Sequence, residues 1–212
     1  MSPEIEGKGL REVASYFLTV TPPPRIGVFR LGPPSLNQAA MAVAASLEHA
    51  GKRVLLLRGD HQPDEGDLIA VRAGGFREGP LSDGKTTNGR LGREERASDL
   101  LVFLLHPESP ELSRLFPVLN LLVFLLLGEP GETLDAYRSA KRVLTDRRAP
   151  SCGVFVAGEG EAAAVLDRFL LGLRVFLGLH PLNFGTSAPI CAREIVNLQL
   201  ESPVEPYFRG NS

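Results

Sequence analysis

Two apolar stretches joined by one helix-like segment constrain the fold most. Residues 25–32 read RIGVFRLG and residues 53–60 read RVLLLRGD, so both have the composition of buried strands. The segment between them begins at Ser35, a residue suited to capping a helix, and ends at Gly51, suited to a helix C-cap. Its apolar positions recur at helical spacing: Leu36, Ala39, Ala40, Val43 and Leu47. A strand–helix–strand unit with short joints predicts two parallel strands covered on both faces.

The rest of the chain repeats this alternation. Apolar runs predict strands at 99–105, within 119–130 and at 152–158, a weak strand at 67–74 and a short one within 180–187. Helices are predicted at 131–144, with an apolar face of Leu134, Tyr137, Ala140 and Leu144, and at 159–178. We therefore predict an α/β fold, a doubly wound and mostly parallel sheet with helices on both faces. Residues 1–24 are predicted to be a leader, and residues 25–212 a single domain with a polar, loop-rich insert at about 61–98.

Composition and charge exclude several classes of protein. The chain has 212 residues, 43% of them hydrophobic, and a net charge of −2, so it lacks the basic excess of proteins that bind nucleic acid by neutralising phosphates. No secretory signal is present, and the most apolar stretch, residues 115–127, is too short for a membrane span. Cys152 and Cys191 are predicted to be buried free thiols. We expect a cytoplasmic protein without a nucleic-acid partner.

One motif matches a phosphate-binding pattern outside the expected setting. Residues 79–86 read GPLSDGKT, so Gly79, Gly84, Lys85 and Thr86 satisfy G-x-x-x-x-G-K-[ST]. A phosphate loop needs a buried strand before it and an amphipathic helix after it. The residues that follow are polar and interrupted by glycines, which favours a surface loop. An atypical NTPase that uses this loop remains the alternative.

The strand–loop–helix setting exists at 25–60, and there the chain resembles a known family. The segment RIGVFRLGPPSLNQAAMAVAASLEHAGKRVLLLRGD is similar to the opening of MinD/ParA-class P-loop ATPases, especially at AGKRVLLL. Residues 118–144, with a shared Glu-Pro and Asp-Ala-Tyr, and residues 152–189, with FLGL after a long helix, resemble later parts of that class. The pattern is closest to the flagellar-number regulator FlhG. The resemblance implies a P-loop NTPase-like fold.

The same resemblance implies that the nucleotide chemistry has been lost. The loop lysine falls on Leu36, the magnesium-binding threonine on Asn37 and the class-specific extra lysine on Leu31, beside Arg30. Other matched positions are also altered: Gly32 is the only loop glycine, Pro33 and Pro34 follow it, and Arg58, Leu104 and Ala157 replace two acids and an asparagine, while Asp60 survives. We therefore expect a pseudoenzyme without catalytic residues, cofactor or metal.

The predicted function is that of a protein-binding scaffold or regulator, in flagellar, pilus or other polar assembly. A homodimer, or a heterodimer with a related ATPase or GTPase, is the expected form of partnership. Residues 10–18, LREVASYFL, either dock on the domain as an amphipathic helix or contact a partner through Leu10 and Arg11. The last residues, LESPVEPYFRGNS, contain two prolines and do not favour an amphipathic membrane anchor.

Two further sites remain as alternatives near the end of the second strand. A small-anion sensor would use the cations Arg30, Arg58 and His61 in the emptied crevice. A metal site would combine His61 with Asp60, Asp64 and His106.

Overall fold

The computed structural model describes residues 22–59, 68–72, 94–109, 112–144 and 151–201. Its described strands are β1 (Arg25–Arg30), β2 (Val54–Gly59), β3 (Leu68–Arg72), β4 (Leu100–Leu105), β5 (Leu121–Leu127), β6 (Ser151–Ala157) and β7 (Leu182–Asn183). They form one sheet in the order β3-β2-β4-β1-β5-β6-β7. Every neighbouring pair is parallel except β2 and β3, which are antiparallel. The predicted fold class is confirmed.

Helices cover both faces of the sheet. They are α1 (Leu36–His49), α2 (Leu112–Leu115), α3 (Thr133–Leu144), α4 (Ala162–Leu177) and α5 (Ala188–Asn197), with short 3₁₀ turns at Phe116–Val118 and Pro130–Glu132. Residues of α1 and α5 share one hydrophobic core with the sheet, and residues of α2, α3 and α4 share the other. The sheet is therefore buried between two helical layers, as a doubly wound fold requires.

The central strands are apolar on both sides because both sides are covered. All six residues of β4 are buried, as are six of the seven in β5. On one face, the rings of Phe29, Phe124 and Phe169 meet edge to face, with centroids 6.5 Å and 6.3 Å apart, which links β1 and β5 to α4. Continuous apolar runs in the sequence are thus the signature of this sheet.

The predicted helix that follows β1 agrees with the structure in its buried face. The α1 face is confirmed, with Leu36, Ala40, Val43 and Leu47 buried and Ala39 partly buried. Ser35 is the N-cap residue, as predicted, but its backbone is helical and its side chain makes no capping hydrogen bond.

The predicted face of α3 is only partly correct. Ala140 is buried, and Tyr137 and Leu144 are partly buried against the core, but Leu134 is 58% exposed. The fully buried residues are Ala136, Ala140 and Val143. Leu134 lies two residues before the buried Ala136, so helical periodicity places it on the opposite side of α3. The chain also contains α5, which the sequence analysis missed because its buried residues, Cys191, Ala192 and Ile195, are few.

Residues from the predicted leader (1–24) and from the predicted insert (61–98) contact the sheet. Pro22–Pro24 are buried, and the carbonyl of Pro24 accepts a hydrogen bond from the Leu101 N–H at 2.9 Å. Within the predicted insert, β3 pairs with β2, and the buried Glu95 lies 3.7 Å from the Arg25 guanidinium. The ends of the 61–98 segment therefore contribute to the packed structure.

Two glycine-to-alanine substitutions should have opposite effects on stability. A Cβ at Gly153, in β6, would overlap the ring of Phe184, whereas a Cβ at Gly172, in α4, would lie 3.8 Å from Tyr137, an ordinary contact. We expect Gly153→Ala to lower the free energy of unfolding by about 1–3 kcal/mol through overpacking. Gly172→Ala should raise it by about 0.5–1 kcal/mol because alanine suits a helix interior. Urea denaturation measures both, and equal effects of the two substitutions would contradict the packing described.

Candidate functional site

The topology places one crevice at the carboxyl edge of the sheet. The chain leaves β1 for α1 on one face and leaves β5 for α3 on the other face, and these two strands are neighbours. Ligands of open α/β sheets bind where adjacent strands diverge in this way. The walls of this crevice are the loop of residues 31–35, after β1, and the loop of residues 128–132, after β5.

The backbone of the first loop has few N–H groups to offer a ligand. Pro33 and Pro34 have none, and the N–H of Leu31 donates to the Leu125 carbonyl at 2.8 Å. Of residues 31–35, at most Gly32 and Ser35 keep an N–H for another partner. A phosphate loop, in contrast, surrounds its ligand with consecutive backbone N–H groups.

The first turn of α1 is closed in the same way. Its first three N–H groups donate to carbonyls three residues back: Leu36 to Pro33 at 3.1 Å, Asn37 to Pro34 at 3.0 Å and Gln38 to Ser35 at 3.1 Å. These are the groups that a helix start normally leaves for a cap or an anion. The helix start is therefore satisfied by its own loop.

An apolar side chain fills the inside of the loop. Leu36 is 1% exposed and belongs to the core beneath α1. Its Cδ1 would lie 3.0 Å from a Cβ placed on Gly32, so the leucine packs directly against the loop glycine. The structure therefore places Leu36 at the helix start, where the resemblance aligns the phosphate-binding lysine.

A carboxylate closes the other side of the crevice. Oε2 of Glu132 would lie 3.3 Å from the same Cβ position on Gly32, and this oxygen is buried without a hydrogen-bond partner among the described residues. Burial, and then the charge of Glu129, raises the pKa of the Glu132 carboxyl. The sequence reasoning missed Glu132, because its approach to Gly32 depends on how two loops from neighbouring strands meet.

The polar residues nearby are engaged with one another. Nη1 of Arg30 donates to Oδ1 of Asn37 at 2.8 Å, so the amide that stands at the expected magnesium-ligand position accepts from a cation. The Oδ1 atom of Asn37 therefore already accepts a hydrogen bond from a positively charged group.

The other aligned positions carry no polar chemistry where the structure describes them. Leu104 is 3% exposed within β4, and Ala157, at the end of β6, uses its carbonyl to accept the Gly128 N–H at 2.8 Å. Arg58 lies in β2, and its side chain is outside the described part of the structure.

Several predicted site residues lie outside the described residues. They are Leu10 and Arg11 of the leader, Asp60, His61 and Asp64 after β2, and Gly79, Gly84, Lys85 and Thr86 of the second candidate loop. His106 is described, and its Nδ1 accepts the Glu108 N–H at 3.3 Å within a turn. Across the described ranges, no group of three or more His, Cys, Asp or Glu residues is placed to hold a metal ion.

The two cysteines are buried free thiols, as predicted. They lie in the two opposite cores, Cys152 with α3 and α4 and Cys191 with α1. Burial raises the pKa of the Cys152 thiol and raises that of Cys191 to about 12. Both are therefore thiols and not thiolates at neutral pH, which makes them poor nucleophiles.

The fold is similar to that of several solved structures. The structure of pNOB8 ParA superposes with a TM-score of 0.57 at 12% identity, covering 82% of this chain and 98% of that one. The structure of pNOB8 ParA bound to nonspecific DNA gives 0.54 at 14% identity, covering 83% and 92%. This chain has a P-loop NTPase-like fold.

A third neighbour extends the likeness beyond ParA. The signal recognition particle receptor FtsY from Elizabethkingia anophelis, in complex with GDP, gives a TM-score of 0.50 at 13% identity, covering 80% of this chain and 59% of that one. No protein-family model and no curated protein matches the sequence. Among the described helices, none combines the length and apolar character needed to cross a bilayer.

The carboxyl of Glu132 makes a specific pH dependence expected. Because its pKa is raised above the ordinary 4.5, the folded state favours the protonated form, and stability falls as the pH rises through the raised pKa. Glu132→Gln should therefore unfold at a higher urea concentration than the wild type at pH 7. The difference in stability should shrink as the pH falls to about 4, where the Glu132 carboxyl is largely protonated and therefore neutral, like the glutamine side chain.

Asp99→Asn is the matched control with the opposite sign. A hydrogen bond from Arg53 lowers the pKa of Asp99 from its ordinary 3.8, so its contribution is present at neutral pH and is lost as the pH falls through the lowered pKa. Asp99→Asn should be less stable than the wild type at pH 7. If Glu132→Gln were also less stable there, the placement of Glu132 beside Gly32 would be wrong.

Proposed function

We propose that this chain is a non-catalytic, MinD/ParA-like pseudo-ATPase that acts by binding a protein partner. The observation that carries this proposal is the closed β1–α1 loop, in which Leu36 packs on Gly32 and the first N–H groups of α1 are already used. The P-loop NTPase-like fold is present, while the loop that would hold triphosphate offers neither a lysine nor a free helix start.

Charge supports this proposal as strongly as shape does. Phosphoryl transfer depends on positioning and on neutralising the phosphates with a lysine and a metal ion. Two unit charges 4 Å apart interact by roughly 4 kcal/mol at an effective dielectric constant near 20. In this crevice a lysine contribution of that order is missing, and the carboxyl of Glu132 adds repulsion when it is ionised. The same carboxyl argues against the small-anion sensor.

The finer assignment rests on resemblance. The sequence pattern is closest to the FlhG branch, so we propose a scaffold or regulator in flagellar, pilus or other polar assembly, in the cytoplasm. A protein with this role would meet its partner, a second copy or a related ATPase or GTPase, without nucleotide as a clamp. Binding to nonspecific DNA is a property of pNOB8 ParA. We propose no such role for this chain, whose net charge is −2.

Calorimetry tests the proposal directly. Titration of the full chain with Mg·ATP or Mg·ADP to millimolar concentration should give no binding heat, because the β1–α1 loop has no means of holding phosphate. A short DNA duplex should give none either. The far-ultraviolet circular dichroism spectrum of the same sample serves as the control for folding.

Binding of nucleotide at micromolar affinity would contradict the proposal. If turnover accompanied it, Lys85→Ala would identify the alternative. Loss of turnover in that variant, with the spectrum unchanged, would assign an NTPase activity to the loop at residues 79–86.

A further inference from the structure

Large apolar side chains are exposed together on α3 and α4. Leu171, Val175 and Phe176 of α4 are 60%, 64% and 72% exposed. The ring of Phe176 meets that of Tyr137 of α3 edge to face at 5.9 Å, and Leu134, 58% exposed, lies one turn before Tyr137. We call these five residues the α4 patch. Clustered exposed apolar residues of this size are typical of surfaces that another segment covers.

The direction of α4 fixes where the Val175 and Phe176 end of this patch lies. Because α4 joins β6 to β7, and these strands are parallel, α4 runs back against the strand direction. Its last residues, including Val175 and Phe176, are therefore at the edge of the sheet where the strands begin. This is the edge opposite the β1–α1 loop.

The N-terminal segment joins the sheet at that same edge. β1 begins at Arg25, and Pro22–Pro24 lead into it. Only β5 separates β1 from β6, so the lateral distance between them is two strand spacings, about 10 Å. Because α4 lies in the layer above the sheet, the distance to it is larger than this, and the five steps of extended chain from Pro22 to Phe17 span about 17 Å. Residues up to Phe17 can thus reach α4 from Pro22.

The sequence of that segment carries a matching apolar stripe. In residues 10–18, LREVASYFL, the side chains of Leu10, Val13, Ala14 and Phe17 follow the i, i+3, i+4, i+7 spacing of one helix face. Helices of this kind bind by laying their apolar face into an apolar groove. The exposed side chains around the Tyr137–Phe176 ring contact form such an apolar surface, and no element among the described residues covers it.

We propose that residues 10–18 pack as an amphipathic helix on the α4 patch of the same chain. Docking is intramolecular, so a weak contact is sufficient, because a short tether gives effective concentrations in the millimolar range. In this arrangement the apolar face of the segment, including Leu10, lies against the chain's own α4. The proposal does not depend on whether the chain binds nucleotide.

Disulfide trapping in the full chain tests the contact. Phe17→Cys combined with Leu171→Cys should form an intramolecular bond under mild oxidation, detected as a linked peptide by mass spectrometry. The matched control pairs Phe17→Cys with Gln38→Cys, an exposed position on α1 on the opposite face of the sheet, and should not link. Cys152 and Cys191 are buried and do not compete.

Alkylation of Val175→Cys provides a second measurement. With the natural N-terminal segment, the modification rate should be roughly tenfold lower than in the same protein carrying Leu10→Asp and Phe17→Asp, as expected for a segment docked about nine-tenths of the time. Urea denaturation of both proteins serves as the control that the sheet and its cores stay folded.

Two results would overturn the proposal. Equal alkylation rates with and without the acidic changes would mean that the segment does not cover the patch. A Phe17–Leu171 cysteine link found only between chains, in a species of doubled mass, would assign the patch to a second copy.

Discussion

The contact between Leu36 and Gly32 determines what the carboxyl edge of this sheet can do. The first residue of α1 faces inward, joins the core beneath the helix and fills the turn by which the chain leaves β1. In a phosphate loop the same position directs a cation outward to its ligand. In this chain the position holds an apolar side chain that belongs to the hydrophobic core.

The other residues at this edge of the sheet are also organised for packing and not for binding an anion. Pro33 and Pro34 remove two donors, and their carbonyls accept from the N–H groups of Leu36 and Asn37. Glu132 then brings a carboxyl to the mouth of the crevice, where a raised pKa records its poor solvation. Each feature is compatible with a stable fold and unfavourable for a polyanion, so the loop is organised for packing.

Much of the sheet was predictable because its strands are buried on both faces. The apolar runs at 25–30, 100–105 and 121–127 stand out against polar joints, and they became β1, β4 and β5. The helix α5 was missed because few of its residues are buried, and Leu134 was assigned to the buried face of α3, which small residues form instead. Which small residues are buried depends on how neighbouring elements pack in space, and helical periodicity alone does not reveal that.

The candidate site was predictable in its residues and not in its geometry. The leucine, the asparagine and the two prolines after β1 are visible in the sequence, and the structure places them at the start of α1. The approach of Glu132 to Gly32 and the hydrogen bond from Arg30 to Asn37 arise only when the loops after β1 and β5 are brought together. The second glycine-rich loop, residues 79–86, lies outside the described residues and stays a prediction.

The central claim is that this crevice cannot hold triphosphate, and a crystal structure determined with millimolar Mg·ATP tests it most directly. The account predicts that no phosphate density will lie beside residues 31–37 and that Leu36 will remain packed on Gly32. Phosphates within hydrogen-bond distance of the backbone N–H groups of residues 32–37, with Leu36 displaced, would contradict it.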